Sequence, residues 1–150
     1  MIIVQAGNNS PLVTAFKQGK HTPTPFCDVH TIAKAITTGN PMGGDEILHK
    51  AYKYNWLAED VTEEEILIGQ RLLGQAGFFV EPSAEISLIA IKKLCKTGKI
   101  KQHESVLLML TGSGLKDSEV FQHHPADVIL SNISHIEADL SKVIRDVRKR

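Results

Sequence analysis

Ser105-Val106-Leu107-Leu108-Met109-Leu110-Thr111-Gly112-Ser113-Gly114-Leu115-Lys116-Asp117 is the stretch on which the fold turns. Residues 106–110 are a continuous apolar run with no polar alternation, so they read as a central strand covered on both faces. Gly112 and Gly114 then interrupt the run and turn the chain into a loop. A glycine pair behind a strand is more often a tight turn than a ligand cradle, so this stretch alone points to an architecture and not yet to a site.

The same pattern recurs upstream. Ile2-Ile3-Val4 is a second apolar run, stopping at Ala6-Gly7-Asn8-Asn9, and reads as a buried parallel strand that ends in a loop. Ser10 as N-cap and Pro11 at the first helical position predict a short helix closed by Gly19. Pro23 and Pro25 mark a loop. Residues 31–38 are read as a helix stopped by Gly39-Asn40-Pro41, and residues 44–54 as another, followed by a brief extended piece near Trp56 and Leu57. Thr62-Glu63-Glu64-Glu65 is a capping box, and the helix it starts ends near Gly74-Gln75. Residues 77–81 read as a short buried strand. Pro82-Ser83 opens a helix with Ile86, Ile89 and Leu94 at helical spacing, closed by Thr97-Gly98. Residues 130–150 are expected to be a loop and then a helix with Ile136, Leu140, Val143, Ile144 and Val147 on one stripe. This alternation predicts an α/β fold, a partial three-layer sandwich with a mainly parallel sheet.

Composition narrows the function. Hydrophobic residues at 42% and charged residues at 23% are ordinary for a globular protein, and no apolar run reaches the length of a membrane span. Met1-Ile2-Ile3-Val4-Gln5 has neither a basic region nor a cleavage site, and Cys27 and Cys95 give no metal or disulfide spacing, so cytoplasm is the expected compartment and no membrane partner is expected. A formal net charge of +0 argues against a nucleic-acid binder, and Arg145 with Arg148-Lys149-Arg150 reads as a solvated helix end. Of the seven histidines only His123 and His124 are adjacent, and chain neighbours rarely converge on one ion, so no metal is expected. Cys27 with His30 lacks an oxyanion loop and reads as a packed or half-exposed thiol.

In open α/β sheets ligands bind beyond the carboxyl ends of the strands. Gln5-Ala6-Gly7, Glu81-Pro82-Ser83 and Thr111-Gly112-Ser113-Gly114 all stand at predicted strand ends, which points to one shared crevice.

Residues 111–117 resemble the late Thr-Gly-x-Gly-Leu-Lys-Asp signature of the threonine synthase family. Four further stretches keep its order and spacing: Val4-Gln5-Ala6 with Pro11-Leu12-Val13, residues 31–36 with Gly39-Asn40-Pro41, Val61-Thr62-x-Glu64-Glu65-Ile66, and residues 77–82. The resemblance implies a fold-type-II pyridoxal-phosphate enzyme that converts O-phospho-L-homoserine and water into L-threonine and phosphate. It implies that residues 1–117 are the C-terminal part of the cofactor-binding large domain and that 118–150 are a loop and C-terminal helix outside it. Thr111 would hydrogen-bond the pyridine nitrogen of pyridoxal phosphate with Gly112 beside it, while Gln5, Ala6, Ala35, Gly39, Asn40 and Glu81 would line the crevice near cofactor and substrate.

In that family the Schiff-base lysine and the glycine-rich phosphate loop lie in the N-terminal half, so no catalytic residue is expected in this chain. The expectation is a chain inactive alone, partnered by the N-terminal segment of the same enzyme or by a homo-oligomer, with a small-molecule substrate. Ser113 departs from the family's histidine, and Ala84-Glu85 from its serine and small residue; a glutamate entering the crevice could repel the substrate phosphate. Two other readings stay open. One is a threonine- or serine-dehydratase-like lyase, against which Leu115-Lys116-Asp117 speaks. The other is a non-catalytic interaction fragment.

Overall fold

The computed structural model of the chain describes residues 1–123 and 131–147. Its sheet pairs two parallel strands, β1 (Ile2–Ala6) and β2 (Leu57–Val61), in a register that sets Ile2 opposite Leu57 and Ala6 opposite Val61. Successive side chains of a strand point to opposite faces, so β1 packs two ways. Ile3 meets Leu12 and Ala15 of α1 (Pro11–Lys17) and Leu48 of α2 (Gly44–Lys53). Val4 and Ala6 face the other way, onto Ile66 of α3 (Glu63–Gln75) and Ile86, Ile89 and Ala90 of α4 (Pro82–Lys96). Helices thus cover both faces of a parallel sheet, the three-layer α/β arrangement expected. A last helix, α5 (Ile136–Val147), follows the loop.

Several expectations are corrected. The brief piece near Trp56 and Leu57 is a full sheet strand: Glu59 and Asp60 break its apolar run, but Lys17 of α1 pairs with both carboxylates, at 3.0 and 2.7 Å. Residues 105–110 are not a strand. A strand exists by its pairing, and no described residue hydrogen-bonds the backbone from Ser105 to Thr111, which leaves Leu107 84% exposed. Residues 77–81 contribute one antiparallel bridge, Val80 to Ser113, with Phe78 and Phe79 exposed. The helix over 31–38 shrinks to a 3-10 turn, Lys34–Ile36. Ser10 stands at the N-cap but does not cap: its hydroxyl bonds the Gly7 carbonyl and Thr14, and the Gln5 side chain takes over. Residues 124–130, His124 among them, and Arg148-Lys149-Arg150 lie outside the described residues, as does the Val147 side chain.

Candidate functional site

The signature at 111–117 folds back onto the start of α4. The Glu81 N–H donates to the Gly112 carbonyl at 3.1 Å, and the Gly114 N–H to the Phe79 carbonyl at 3.2 Å. Gly112 is buried because the Glu81 carboxylate fills the space beside it: a Cβ there would stand 1.8 Å from Oε1. Thr111, by contrast, is exposed, and its hydroxyl bonds no described residue. Ser113 Oγ accepts the Leu115 N–H and starts a 3-10 turn, Gly114–Lys116.

A second wall comes from the 31–36 segment, held by side chains distant in sequence. The Ile32 N–H donates to Glu63 at 2.8 Å, the Ala35 N–H to Ser83 Oγ at 3.0 Å, and Asn9 Nδ2 to the Ile36 carbonyl at 3.1 Å. Of these groups the Ala35 N–H is the one that a helix over 31–38 would bond internally, and it goes to Ser83 instead. Lys34 then reaches across to the Glu119 carboxylate and lies 3.8 Å from Asp117 Oδ1. Its hydrogen bond to Glu119 raises the lysine pKa and lowers that of the glutamate.

Between these walls lies an open crevice of about 440 Å3 lined by Lys34, Ala35, Glu81, Ser83, Lys116 and Asp117, with Ser118 and Glu119 at its margin. Ala35 and Glu81 were read from the sequence as crevice residues and both line it. Gly112 lies against Glu81, with Thr111 next to it in the chain. The structure puts the others elsewhere. Gln5 Oε1 accepts the N–H groups of Leu12 and Val13, at 2.9 and 3.0 Å, capping α1. Ala6 is in the core, the Gly39 carbonyl accepts the Phe26 N–H, and Asn40 is exposed in the following loop. Glu85 does not enter the crevice: it is 0% exposed and packs against Gly69 of α3.

The pairings of Lys34, Ser83 and Asn9 were not read from the sequence. Ser83 was read as part of the Glu81-Pro82-Ser83 corner without its bond to Ala35, and Lys34 and Glu119 are separated by 85 positions, beyond the reach of any local pattern. Asn9 is 1% exposed and stitches the loop after β1 to the 34–36 turn.

The crevice offers the hydroxyls of Ser83 and Ser118, two ammonium groups and three carboxylates, with the Thr111 hydroxyl nearby bonded to no described residue. No cluster of three or more His, Cys, Asp or Glu able to hold a metal occurs among the described residues, and no described helix is long and apolar enough to cross a membrane. An exposed hydroxyl beside a side-chain-free backbone fits one edge of a flat heteroaromatic ring, as a neutral hydrogen-bonding group.

Comparison with known proteins gives the wider context. The family model for pyridoxal-phosphate dependent enzymes matches residues 1–112. A threonine synthase of Methanocaldococcus jannaschii is 38% identical over 117 residues, covering 77% of this chain and 29% of that protein. A threonine synthase of Methanosarcina acetivorans is 37% identical, with 77% and 29% covered. The chloroplastic threonine synthase 2 of Arabidopsis thaliana is 32% identical, with 77% and 23% covered. The chain therefore spans less than a third of the length of these relatives. With a family match over most of its residues, the chain belongs to the pyridoxal-phosphate dependent enzymes.

Proposed function

We propose that the chain is the C-terminal portion of a threonine synthase, converting O-phospho-L-homoserine and water to L-threonine and phosphate in the cytoplasm once the rest of that enzyme completes the site. What supports this is the pairing of residues 79–81 with 112–114, which brings the 111–117 signature against the Glu81-Pro82-Ser83 corner, itself tied to Ala35.

Pyridoxal phosphate, when bound, supplies an electron sink for the pair left as the substrate loses its α-proton. Thr111 would donate one hydrogen bond to the ring nitrogen. Carrying no charge, Thr111 cannot hold a proton there as a carboxylate would, which restrains the sink and favours elimination and replacement over transamination. Glu81 fixes the Gly112 backbone and so positions Thr111. Lys34 and Lys116 are the two ammonium groups of the crevice, and Glu119 and Asp117 offset the charge of Lys34, so Lys116 is the cation assigned to a phosphate-bearing substrate.

The test is reconstitution with the remaining part of the Methanocaldococcus jannaschii protein. The complex is expected to release phosphate from O-phospho-L-homoserine and form threonine; the chain alone is expected to do neither. Thr111→Ala should weaken cofactor binding about 2- to 13-fold, the value of one hydrogen bond, roughly 0.5–1.5 kcal/mol. Thr111→Asp should raise the share of abortive side products. Deamination of threonine or serine without threonine formation would point to a dehydratase instead. Cofactor affinity unchanged in both variants would remove Thr111 from the site.

A further inference from the structure

We propose that Asn9 is a positioning residue of the crevice: from the corner beyond β1 it holds the 34–36 turn, and through that turn it sets where Lys34 and Ala35 stand. The assignment deepens the reading of the crevice as the site of a phosphate-bearing substrate, and it rests on that reading.

The turn is too short to hold its own place. Lys34–Ile36 is a three-residue 3-10 element, and such a piece lacks the ladder of bonds that fixes a helix. Its apolar side anchors it: Ala33 is 0% exposed in the core, with Ile32 and Ile36 packed against the same cluster. Its backbone is tied by three side chains, each standing just past the carboxyl end of an extended segment. Asn9 follows β1 and donates from Nδ2 to the Ile36 carbonyl at 3.1 Å. Glu63 follows β2 and accepts the Ile32 N–H at 2.8 Å, and Ser83 follows the Val80 bridge and accepts the Ala35 N–H at 3.0 Å. That edge is where an α/β sheet presents its ligand site.

Of the three, Asn9 acts purely through the turn. Ser83 lines the crevice itself, and Glu63 holds the chain ahead of the turn. Asn9 is 1% exposed and lines no part of the crevice. Its own footing is firm: the Asn9 N–H donates to the Ala6 carbonyl at 2.9 Å and the Gly7 N–H to the Val61 carbonyl at 2.8 Å, so the corner is pinned to the ends of both strands. Burying an amide is unfavourable unless hydrogen bonds offset it, and Asn9 Oδ1 meets no donor among the described residues. An apolar side chain of similar size would fill the corner without an orphaned oxygen; what Asn9 adds is the donor that fixes Ile36. The effect reaches the cation of the site. Lys34 bonds Glu119 and lies 3.8 Å from Asp117 Oδ1, and Asp117 follows Lys116 in the chain, so a displaced turn shifts the charges around Lys116.

Amide exchange by nuclear magnetic resonance on the full chain, and steady-state kinetics of the reconstituted complex with O-phospho-L-homoserine, test the assignment. In Asn9→Ala the amides of Ala35, Ile36 and Thr37 are expected to exchange about tenfold faster, while those of β2 keep their rates. KM is expected to rise about 2- to 13-fold, the span of one lost hydrogen bond. A wall that holds substrate and transition state alike moves KM alone, so kcat should stay within about twofold. Asn8→Ala, at the exposed neighbour in the same loop, should match the parent in both readings. Should Asn9→Ala unfold the chain, Asn9→Ser, which keeps a polar group but falls short of Ile36, decides by the same measurements. KM at the parent value in a folded, threonine-forming variant overturns the assignment whatever the turn amides do, since that marks a merely structural residue. A fall in kcat at unchanged KM overturns it as well. If the parent complex forms no threonine, the enzymatic reading fails by itself, and exchange in the turn then decides for or against Asn9.

Discussion

Glu85 lies between α3 and α4 with neither carboxylate oxygen hydrogen-bonded to a described residue, and Gly69 makes room for it. Burial pushes its pKa from 4.5 to about 9. Across that window the folded chain keeps a proton that the unfolded chain has released. Its stability contribution is therefore fullest below pH 4.5 and falls as pH rises, by at most about 1.4 kcal/mol per unit, levelling off above the folded value. Urea melts from pH 5 to 9 should show this fall in the parent and lose most of it in Glu85→Gln; equal slopes would mean that the carboxyl is not buried neutral. Gly69→Ala would set a Cβ 1.6 Å from Glu85 Oε2, and such overpacking should cost roughly 1–3 kcal/mol. Adding Glu85→Ala should recover much of that loss, and a double-mutant cycle measures the coupling. Glu85 was legible only as a departure from a family pattern. Its environment was not, because a buried helix position and a crevice-facing one share the same local sequence.

At the scale of the element, caps separate what is local from what is not. Thr62 Oγ1 accepts the Glu65 N–H at 3.2 Å and Glu65 Oε2 accepts the Thr62 N–H at 2.9 Å, so the capping box read from four consecutive residues is present. Glu65 does further work: Lys93 of α4 donates to it at 3.0 Å, binding α3 to α4. Thr62→Ala should cost about 1 kcal/mol in a denaturation experiment, and Glu65→Ala more, since it also releases Lys93. Gln5→Ala should cost roughly 1–3 kcal/mol by leaving the buried amides of Leu12 and Val13 unpaired; a loss equal to that of an exposed substitution would deny the capping role. The Gln5 cap was invisible in the sequence because its acceptor sits seven and eight residues before its donors, across a turn.

Over the whole molecule, a charge network and an uncovered apolar surface have opposite effects. Lys17, Glu59, Asp60, Glu65 and Lys93 join α1, β2, α3 and α4. Burial works against the ionisation of Asp60 and Glu65, but their hydrogen bonds, from Lys17 to Asp60 and from Thr62 and Lys93 to Glu65, outweigh it and hold both pKa values low. Both therefore contribute stability that is present above the ordinary carboxylate range and lost as pH falls through their lowered values. Together with Glu85 this should place the stability maximum in mildly acidic solution, which thermal melts across pH 3–9 would check. The apolar surface at Val106, Leu107 and Met109, with Ile136, Leu140 and Ile144 on α5, should make the isolated chain associate as concentration rises. Light scattering should show this association, and Leu107→Asp with Met109→Lys should reduce it.

The sequence by itself determined the helices α1 to α5, the Thr62 capping box, the strand β1 and the family. These rest on interactions within about four residues or on a period that a segment carries alone. Residues 111–117 likewise carried the family resemblance by their order. Only the tertiary structure decided that Leu57-Ala58-Glu59-Asp60-Val61 is a strand, since its charges needed Lys17 from α1 to be tolerated, and that residues 105–110 are none, since an apolar run becomes a strand only with a neighbour for its amides. It also decided which side chains meet at the crevice. Ser83 under Ala35 and Lys34 against Glu119 are pairings between residues far apart in the chain, and such contacts come into being only once the layers have packed.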